Sequence, residues 1–216
     1  MAKTVAILDY GISNLFNIAR MVELAGASAR ITTRREDVEA ADGLILPGVG
    51  AFAEAMRQME QTGLIHVIPE LARSGHPVLG ICLGMQLFLS SSEEGRHARG
   101  FGMVEGSVVR LSQRPGPQMV KVPHMGWAKV NMVASDQEGQ RPTGMLSNWM
   151  PESYMYFLHS YYPVLADLSA GRAVTQYGDE RFYSVIQRDG FVGCQFHPER
   201  SGRQGFAFLK AFVGTL

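Results

Sequence analysis

The segment Gly80-Ile81-Cys82-Leu83-Gly84 constrains this chain more tightly than any other. It follows the apolar run Pro77-Val78-Leu79 and precedes Met85-Gln86-Leu87-Phe88-Leu89. A strand-like run, a nucleophilic residue between two glycines and a helix-like run together have the form of a nucleophile elbow. The turn from strand into helix is so tight that the residues two positions either side must lack bulky side chains. It lifts the thiol off the end of a sheet and aims the first helical N–H groups at it. There they favour negative charge on sulfur and can hold an oxyanion. Free cysteines are often small core residues, but the flanking glycines favour a nucleophile at Cys82. The pattern points to acyl transfer through a cysteine.

The rest of the first half reads as alternating strand and helix. Thr4–Leu8 is a buried strand, and Asn14 can cap a helix with apolar positions Leu15, Ile18, Val22 and Ala25 that stops at Gly26. Ala29–Thr32 and Gly43–Leu46 are short strands. Phe52, Ala55, Met56 and Met59 mark a helix ended by Gly63, Leu64–Arg73 another, and Pro77–Ile81 the strand into the elbow. Repeated βα units predict a three-layer α/β fold, with a mostly parallel central sheet covered by helices on both faces. From about Gly100 to Arg188 the pattern changes to short strand-like runs broken by Gly, Pro, Asp and Ser: Ser107–Leu111, Lys129–Val133, Tyr154–Leu158, Ala173–Tyr177 and Tyr183–Arg188. These predict a smaller antiparallel elaboration. Val192–Phe196 returns to a buried strand and Gly205–Phe212 closes the chain as a helix.

Composition narrows the function classes. The 216 residues carry 20 Lys+Arg and 20 Asp+Glu, with no basic stripe for nucleic acid. At 46% hydrophobic residues the chain can bury a large core, yet no apolar stretch approaches the roughly 20 residues of a membrane span. The two cysteines, Cys82 and Cys194, are too few for a disulfide framework and fit a reducing compartment. Met1-Ala2-Lys3 runs straight into the first strand without the form of a signal peptide, so a cytoplasmic location is expected. His and Cys never cluster at metal-ligand spacing, and no phosphate or dinucleotide glycine motif is complete. No metal or cofactor is expected.

In parallel α/β sheets ligands bind beyond the carboxyl ends of the strands. Three loops here leave such ends: Pro47-Gly48-Val49-Gly50, the elbow at Cys82, and His197-Pro198-Glu199. A cysteine nucleophile needs a base. His197 ends the run Val192–Phe196, and Glu199 can accept its other ring N–H and fix tautomer and orientation. His76 lies at the amino end of its strand, His66 in a helical pattern and His97 in a charged loop; Cys194 has no elbow around it and reads as core. The Leu83 N–H is placed for an oxyanion, and the glycine turn at Val49 and Gly50 can supply a second donor.

These residues resemble the triad-type (class I) glutamine amidotransferases, through Gly80-Ile81-Cys82-Leu83-Gly84-Met85-Gln86 with His197-Pro198-Glu199. Within them, four segments are similar, in order over nearly the whole chain, to the glutaminase subunits of imidazole glycerol phosphate synthases. They are Asp9-Tyr10-Gly11 followed by Asn14-Leu15, Pro47-Gly48-Val49-Gly50, Pro123-His124-Met125-Gly126-Trp127, and Tyr156-Phe157-Leu158-His159-Ser160-Tyr161. One departure is Ala128, where the family usually carries Asn. The resemblance implies a single amidotransferase domain over residues 1–216 that hydrolyses glutamine to glutamate and ammonia through a γ-glutamyl thioester. Cys82 would attack the carboxamide, with the oxyanion on N–H groups of Leu83 and the Val49–Gly50 turn. His197 would protonate the leaving ammonia and then activate water, held by Glu199.

The same resemblance implies that Gln86, Glu94, His159, Ser160 and Tyr161 contact the amino-acid end of glutamine. Glu94 is otherwise a solvated loop acid, and His159 and Tyr161 packing residues of a half-buried strand. Ammonia would pass to a (βα)8-barrel cyclase in a heterodimer. That partner forms imidazole glycerol phosphate and an aminoimidazole carboxamide ribonucleotide in histidine biosynthesis, a lyase reaction. Asn14, Asn17, Met125, Trp127 and Arg200 are the interface candidates, core burial being the simpler account of Met125. Other readings are a glutaminase subunit of another synthase, a free γ-glutamyl hydrolase and a non-catalytic binding subunit.

Overall fold

Strand and helix alternate through the first part of the computed structural model, which describes residues 2–11, 15–95, 98–112, 120–133, 144–147, 149, 153–188 and 190–216. The elements are β1 (Thr4–Leu8), α1 (Leu15–Leu24), β2 (Ser28–Thr32), α2 (Arg35–Ala40), β3 (Gly43–Leu46), α3 (Phe52–Gln61), α4 (Leu64–Arg73) and β4 (Val78–Ile81). The single helical turn α5 (Leu83–Gln86) follows the elbow. Then come β5 (Leu89–Ser92), β6 (Ala98–Arg99), β7 (Val104–Arg110), β8 (His124–Met132), β9 (Ser153–His159), β10 (Tyr161–Leu165), β11 (Gly171–Tyr177), β12 (Glu180–Arg188), β13 (Phe191–Cys194) and α6 (Gly202–Val213).

The main sheet has the order β2-β1-β3-β4-β13-β12-β11-β8-β9. Pairings from β2 to β13 are parallel, as predicted for buried runs such as Gly43–Leu46. Those from β13 to β9 are antiparallel. Most of the expected antiparallel runs therefore extend the main sheet. A second sheet, β10-β7-β5-β6, is mixed. Alternate residues of the parallel strands face opposite layers. Val5, Ile7, Ile45, Leu79 and Ile81 pack with Ile18 and Val22 of α1 and Phe208, Leu209 and Phe212 of α6. Ala6, Leu8, Leu44 and Leu46 pack with Val38 of α2, Phe52 and Met59 of α3, Leu64 and Ile68 of α4, and Val104 and Val108 of the second sheet.

The helix-like run after the elbow is shorter than its apolar pattern predicts. The carbonyls of Leu87, Phe88 and Leu89, which would continue a helix, instead accept from the N–H groups of Phe101, Met103 and Gly102 at 2.8–3.1 Å. The chain thus leaves α5 for β5 and seeds the second sheet. Asn14 and the capping role expected of it lie outside the described residues.

Cys82 has φ 47° and ψ −101°, and it is the one described non-glycine residue with positive φ. The glycines beside it are required by close approach. A Cβ on Gly80 would stand 2.6 Å from the Gly84 carbonyl carbon and Met85 N, and one on Gly84 would collide with the Leu46 carbonyl of the adjacent strand. A Gly84→Ala variant is therefore expected to lose roughly 2–3 kcal/mol by urea denaturation. Gly214→Ala, whose Cβ meets nothing nearer than 3.4 Å, should stay within about 0.5 kcal/mol of the parent.

Candidate active site

The carboxyl edge of the parallel strands gathers the three loops singled out in the sequence. β4 ends at Cys82, whose N–H donates to the Cys194 carbonyl at 2.6 Å. β13 lies beside β4 and runs on into His197. Meanwhile the antiparallel half of the sheet curls back over this edge. Tyr156 of β9 accepts a bond from His197 N at 2.9 Å and donates its own N–H to Ser201 Oγ at 2.9 Å. The Leu158 carbonyl then stands 3.8 Å from Cys82 Sγ, where it can accept from the thiol.

His197 is buried between Cys82 and Glu199. Its Nδ1 donates to Glu199 Oε1 at 2.8 Å, and both side chains are nearly inaccessible. Its Nε2 has no hydrogen-bond partner of full geometry among the described residues, yet the Cys82 sulfur is near enough to act on the ring. Catalytic contacts of this kind often tighten only as the reaction proceeds. Burial is the largest single influence on His197 and opposes its charge. The negative sulfur of Cys82, the contact with it, and the hydrogen bond and charge of Glu199 together outweigh burial and push the ring up to about 10.

A cavity of about 330 Å³ opens in front of Cys82, walled by Gly48, Val49, Gly50 and Leu83 on one side and by Leu158, His159, Ser160 and Tyr161 on the other. Gln86, Glu94 and Pro123 complete the wall. All five residues expected at the amino-acid end of a substrate thus line one cavity with the thiol. Several are already engaged. Glu94 Oε2 accepts from the Phe52 N–H at 2.9 Å and so caps the first turn of α3. Gln86 Nε2 donates to the Tyr161 carbonyl at 2.8 Å.

His159 is engaged at both ring nitrogens. The Tyr161 carbonyl can only accept, so His159 Nδ1 carries the proton of that 2.9 Å bond. His159 Nε2 then accepts from His124 Nδ1 at 3.1 Å. His124 stacks on Tyr177 with ring centroids 3.8 Å apart. Burial pushes His124 down to about 4. Burial, then the His124 and His197 rings, hold His159 at about 3 against the Tyr161 bond.

Sequence reasoning missed two residues of this site. His124 was visible only as part of a motif. Gln195, fully buried, donates from Nε2 to Cys82 Sγ at 3.3 Å. A polar residue inside the apolar run Phe191–Phe196 was its signal, since a buried amide must find partners. Cys194 is core, as expected; its thiol donates to the Phe196 carbonyl at 3.4 Å, and burial, then Glu199 and Cys82, keep it protonated. His66 is exposed on α4, His76 precedes the amino end of β4, and His97 lies outside the described residues.

Of the surface candidates, Asn14 lies outside the described residues and Asn17 is half-buried on α1. Met125 and Trp127 are 66% and 56% exposed, so Met125 is not a core residue. The Arg200 guanidinium sits 4.2 Å over the Tyr156 ring, which Trp127 meets edge-on at 6.1 Å. Phe16 and Tyr154 are also exposed.

A cysteine at a strand-to-helix turn, a histidine held by a carboxylate and backbone donors across a cavity make a site suited to acyl transfer. The family described as Glutamine amidotransferase class-I matches residues 6–214. The imidazole glycerol phosphate synthase subunit HisH of Moorella thermoacetica is 41% identical over 210 residues, covering 97% of this chain and 94% of the relative. Subunit HisH 1 of Legionella pneumophila (strain Lens) is 38% identical over 212 residues, covering 97% and 98%. A solved structure described as PurLQS from Thermotoga maritima superposes with a TM-score of 0.71 over 99% of both chains; at 16% identity it shows the shared fold. The chain belongs to the class-I glutamine amidotransferase family and, within it, to the HisH subunits of imidazole glycerol phosphate synthase. It is a glutaminase with a cysteine nucleophile.

The neutral His124–His159 pair has a pH signature. Folded values near 4 and 3 lie below the usual 6.5, so the pair's stability is complete above pH 6.5 and is lost as pH falls toward the folded values. At pH 5 the loss should be on the order of 2 kcal/mol per ring. Thermal melts between pH 7 and 5 should record it. His124→Phe keeps the stack on Tyr177 and should remove about half of the acid-dependent fall; an unchanged pH dependence would contradict the assignment.

Proposed function

We propose that Cys82, His197 and Glu199 form the catalytic triad for glutamine hydrolysis, and that the ammonia released serves a cyclase partner in histidine biosynthesis. The observation that carries this reading is His197, bonded through Nδ1 to Glu199 and facing Cys82 in the cavity wall. The Cys82 thiolate attacks the glutamine carboxamide carbon, a C–S bond forms, and the carbonyl electron pair moves to oxygen. N–H groups of Leu83 and of the Val49–Gly50 turn hold that oxyanion. Collapse breaks the C–N bond as His197 Nε2 gives its proton to nitrogen, and ammonia leaves. His197 then takes a proton from water, which attacks the thioester; the C–S bond breaks and glutamate departs. The substrate's amino-acid end meets Gln86, Glu94, Ser160 and Tyr161, the free Glu94 oxygen suiting its ammonium. The saturated ring of His159 braces the strand instead of touching substrate through nitrogen.

The partner is a (βα)8-barrel cyclase, and the assembly a cytoplasmic heterodimer with lyase activity. Its docking face is the surface of Met125, Trp127 and Arg200, and Asn14 and Asn17 are further candidates for contact with the partner. Exposed aromatic and Met side chains beside a guanidinium have the composition of an interface. The whole chain, residues 1–216, acts as a single amidotransferase domain.

Glutamate release from glutamine tests the reading. The isolated chain should turn over slowly and be accelerated by cyclase with bound ligand, the Gly48–Gly50 turn adjusting its donor when the partner is present. Cys82→Ala should lower the stimulated rate at least about a thousandfold while preserving the complex. Undiminished turnover by that variant removes Cys82 from its role, and full activity without any partner rejects the coupling.

A further inference from the structure

We infer that Gln195 is a catalytic residue of this site: its side-chain N–H holds the attacking sulfur, in a direction fixed by a relay that begins at the Tyr161 carbonyl. The inference rests on the reading of Cys82 as nucleophile and adds a residue to it.

The relay has one possible polarity. The Tyr161 carbonyl can only accept, so the group 2.8 Å from it must be the Gln86 NH2. The same NH2 lies 3.1 Å from Gln195, which must therefore present its oxygen there. The Gln195 NH2 is then left to face Cys82 Sγ at 3.3 Å. A flip of either amide would set oxygen against oxygen or nitrogen against nitrogen. Each amide is buried, so the flip has no water to compensate it. The backbone of Gln195 is fixed as well, its N–H donating to the Ser184 carbonyl at 2.9 Å.

A donor aimed at sulfur matters most when the sulfur is charged, because hydrogen bonds to ions are the stronger kind. Around Cys82 the other contacts differ in kind. The Leu158 carbonyl is an acceptor and suits the thiol form. Tyr10, after β1, and Cys194, on β13, feel a negative charge on the same sulfur; burial first, then the charge at Cys82 for Tyr10 and those at Glu199 and Cys82 for Cys194, keep both protonated. His197 is the cation, itself attended by Glu199 and near His159. Gln195 is thus the neutral side chain that favours the thiolate without titrating, and it reaches Cys82 from 113 residues away.

The test is alkylation of Cys82 by iodoacetamide as a function of pH in the full-length chain, with the modified peptide identified by mass, alongside glutamine turnover. Gln195→Glu keeps the size and the oxygen that Gln86 needs, but replaces the donor with an acceptor. Its alkylation midpoint should move up by about one pH unit or more, and kcat should fall roughly 10- to 100-fold with KM little changed. Gln195→Met removes the donor without adding charge and should move the midpoint in the same direction by less. It also serves if the glutamate variant does not fold, melting temperature being the control. A folded Gln195 variant whose profile superimposes on the parent's would overturn the inference. If the parent's Cys82 is not selectively alkylated, the failure lies with the nucleophile reading instead, and the inference falls with it.

Discussion

The left-handed turn at Cys82 is the constraint on which the rest of the structure depends. A non-glycine residue at φ 47°, ψ −101° lies outside the ordinary allowed regions. Such strain costs on the order of 1–3 kcal/mol and persists only where the surroundings over-determine it. Here three contacts do so. Gly84 lies flat against the Leu46 carbonyl, Gly80 against the turn itself, and the Cys82 N–H is bound to Cys194 on the next strand. The first and third exist because β3, β4 and β13 are adjacent parallel strands ending together, while the second is local to the elbow. The parallel half of the sheet is therefore the mould in which the Cys82 thiol is set.

The antiparallel half supplies the opposite wall. Because β9 curls back to bond with His197 and Ser201, the segment Leu158–Tyr161 faces the elbow across the cavity. The two buried histidine environments that result are opposite in sign. His197 lies between the Cys82 sulfur and the Glu199 carboxylate, and these two groups together overcome the burial that opposes its charge. His159 and His124 have a carbonyl and each other, so burial prevails and both stay neutral. Two kinds of imidazole thus lie close together: one can carry the proton of the chemistry, while the other acts as a fixed hydrogen-bonding brace.

What the sequence made legible was what is local. The elbow could be read because its steric demand falls on residues two positions either side of Cys82. His197 and Glu199 could be read because a single residue, Pro198, separates the ring from the carboxylate that holds it. The βα half followed from apolar periodicity. The rest depends on contacts between distant segments. Nothing near Glu94 says that its carboxylate caps α3 at Phe52. Nothing near Leu87 says that its carbonyl will be taken by Phe101, which is why α5 ends after one turn. Gln195 differs: a lone amide in an apolar strand exit announces that a partner exists, but not that the partner is the sulfur.

β8 joins these levels because a strand presents alternate residues to opposite sides. His124 is buried and braces His159, whereas the next residue, Met125, and then Trp127 stand in solvent. The same strand pairs with β9 in a register that sets Met125 opposite Leu158 and Trp127 opposite Tyr156. Leu158 offers its carbonyl to the thiol, and Tyr156 offers its own to His197. A load placed on the exposed side chains is therefore passed through the β8–β9 pairing to β9, whose last residues, Leu158 and His159, line the cavity. Close-packed elements transmit such displacement instead of absorbing it. Only a ligand or partner whose contacts differ between two arrangements of these strands can bias them, and β8 joins its exposed side chains by direct pairing to the strand that leads into the cavity wall.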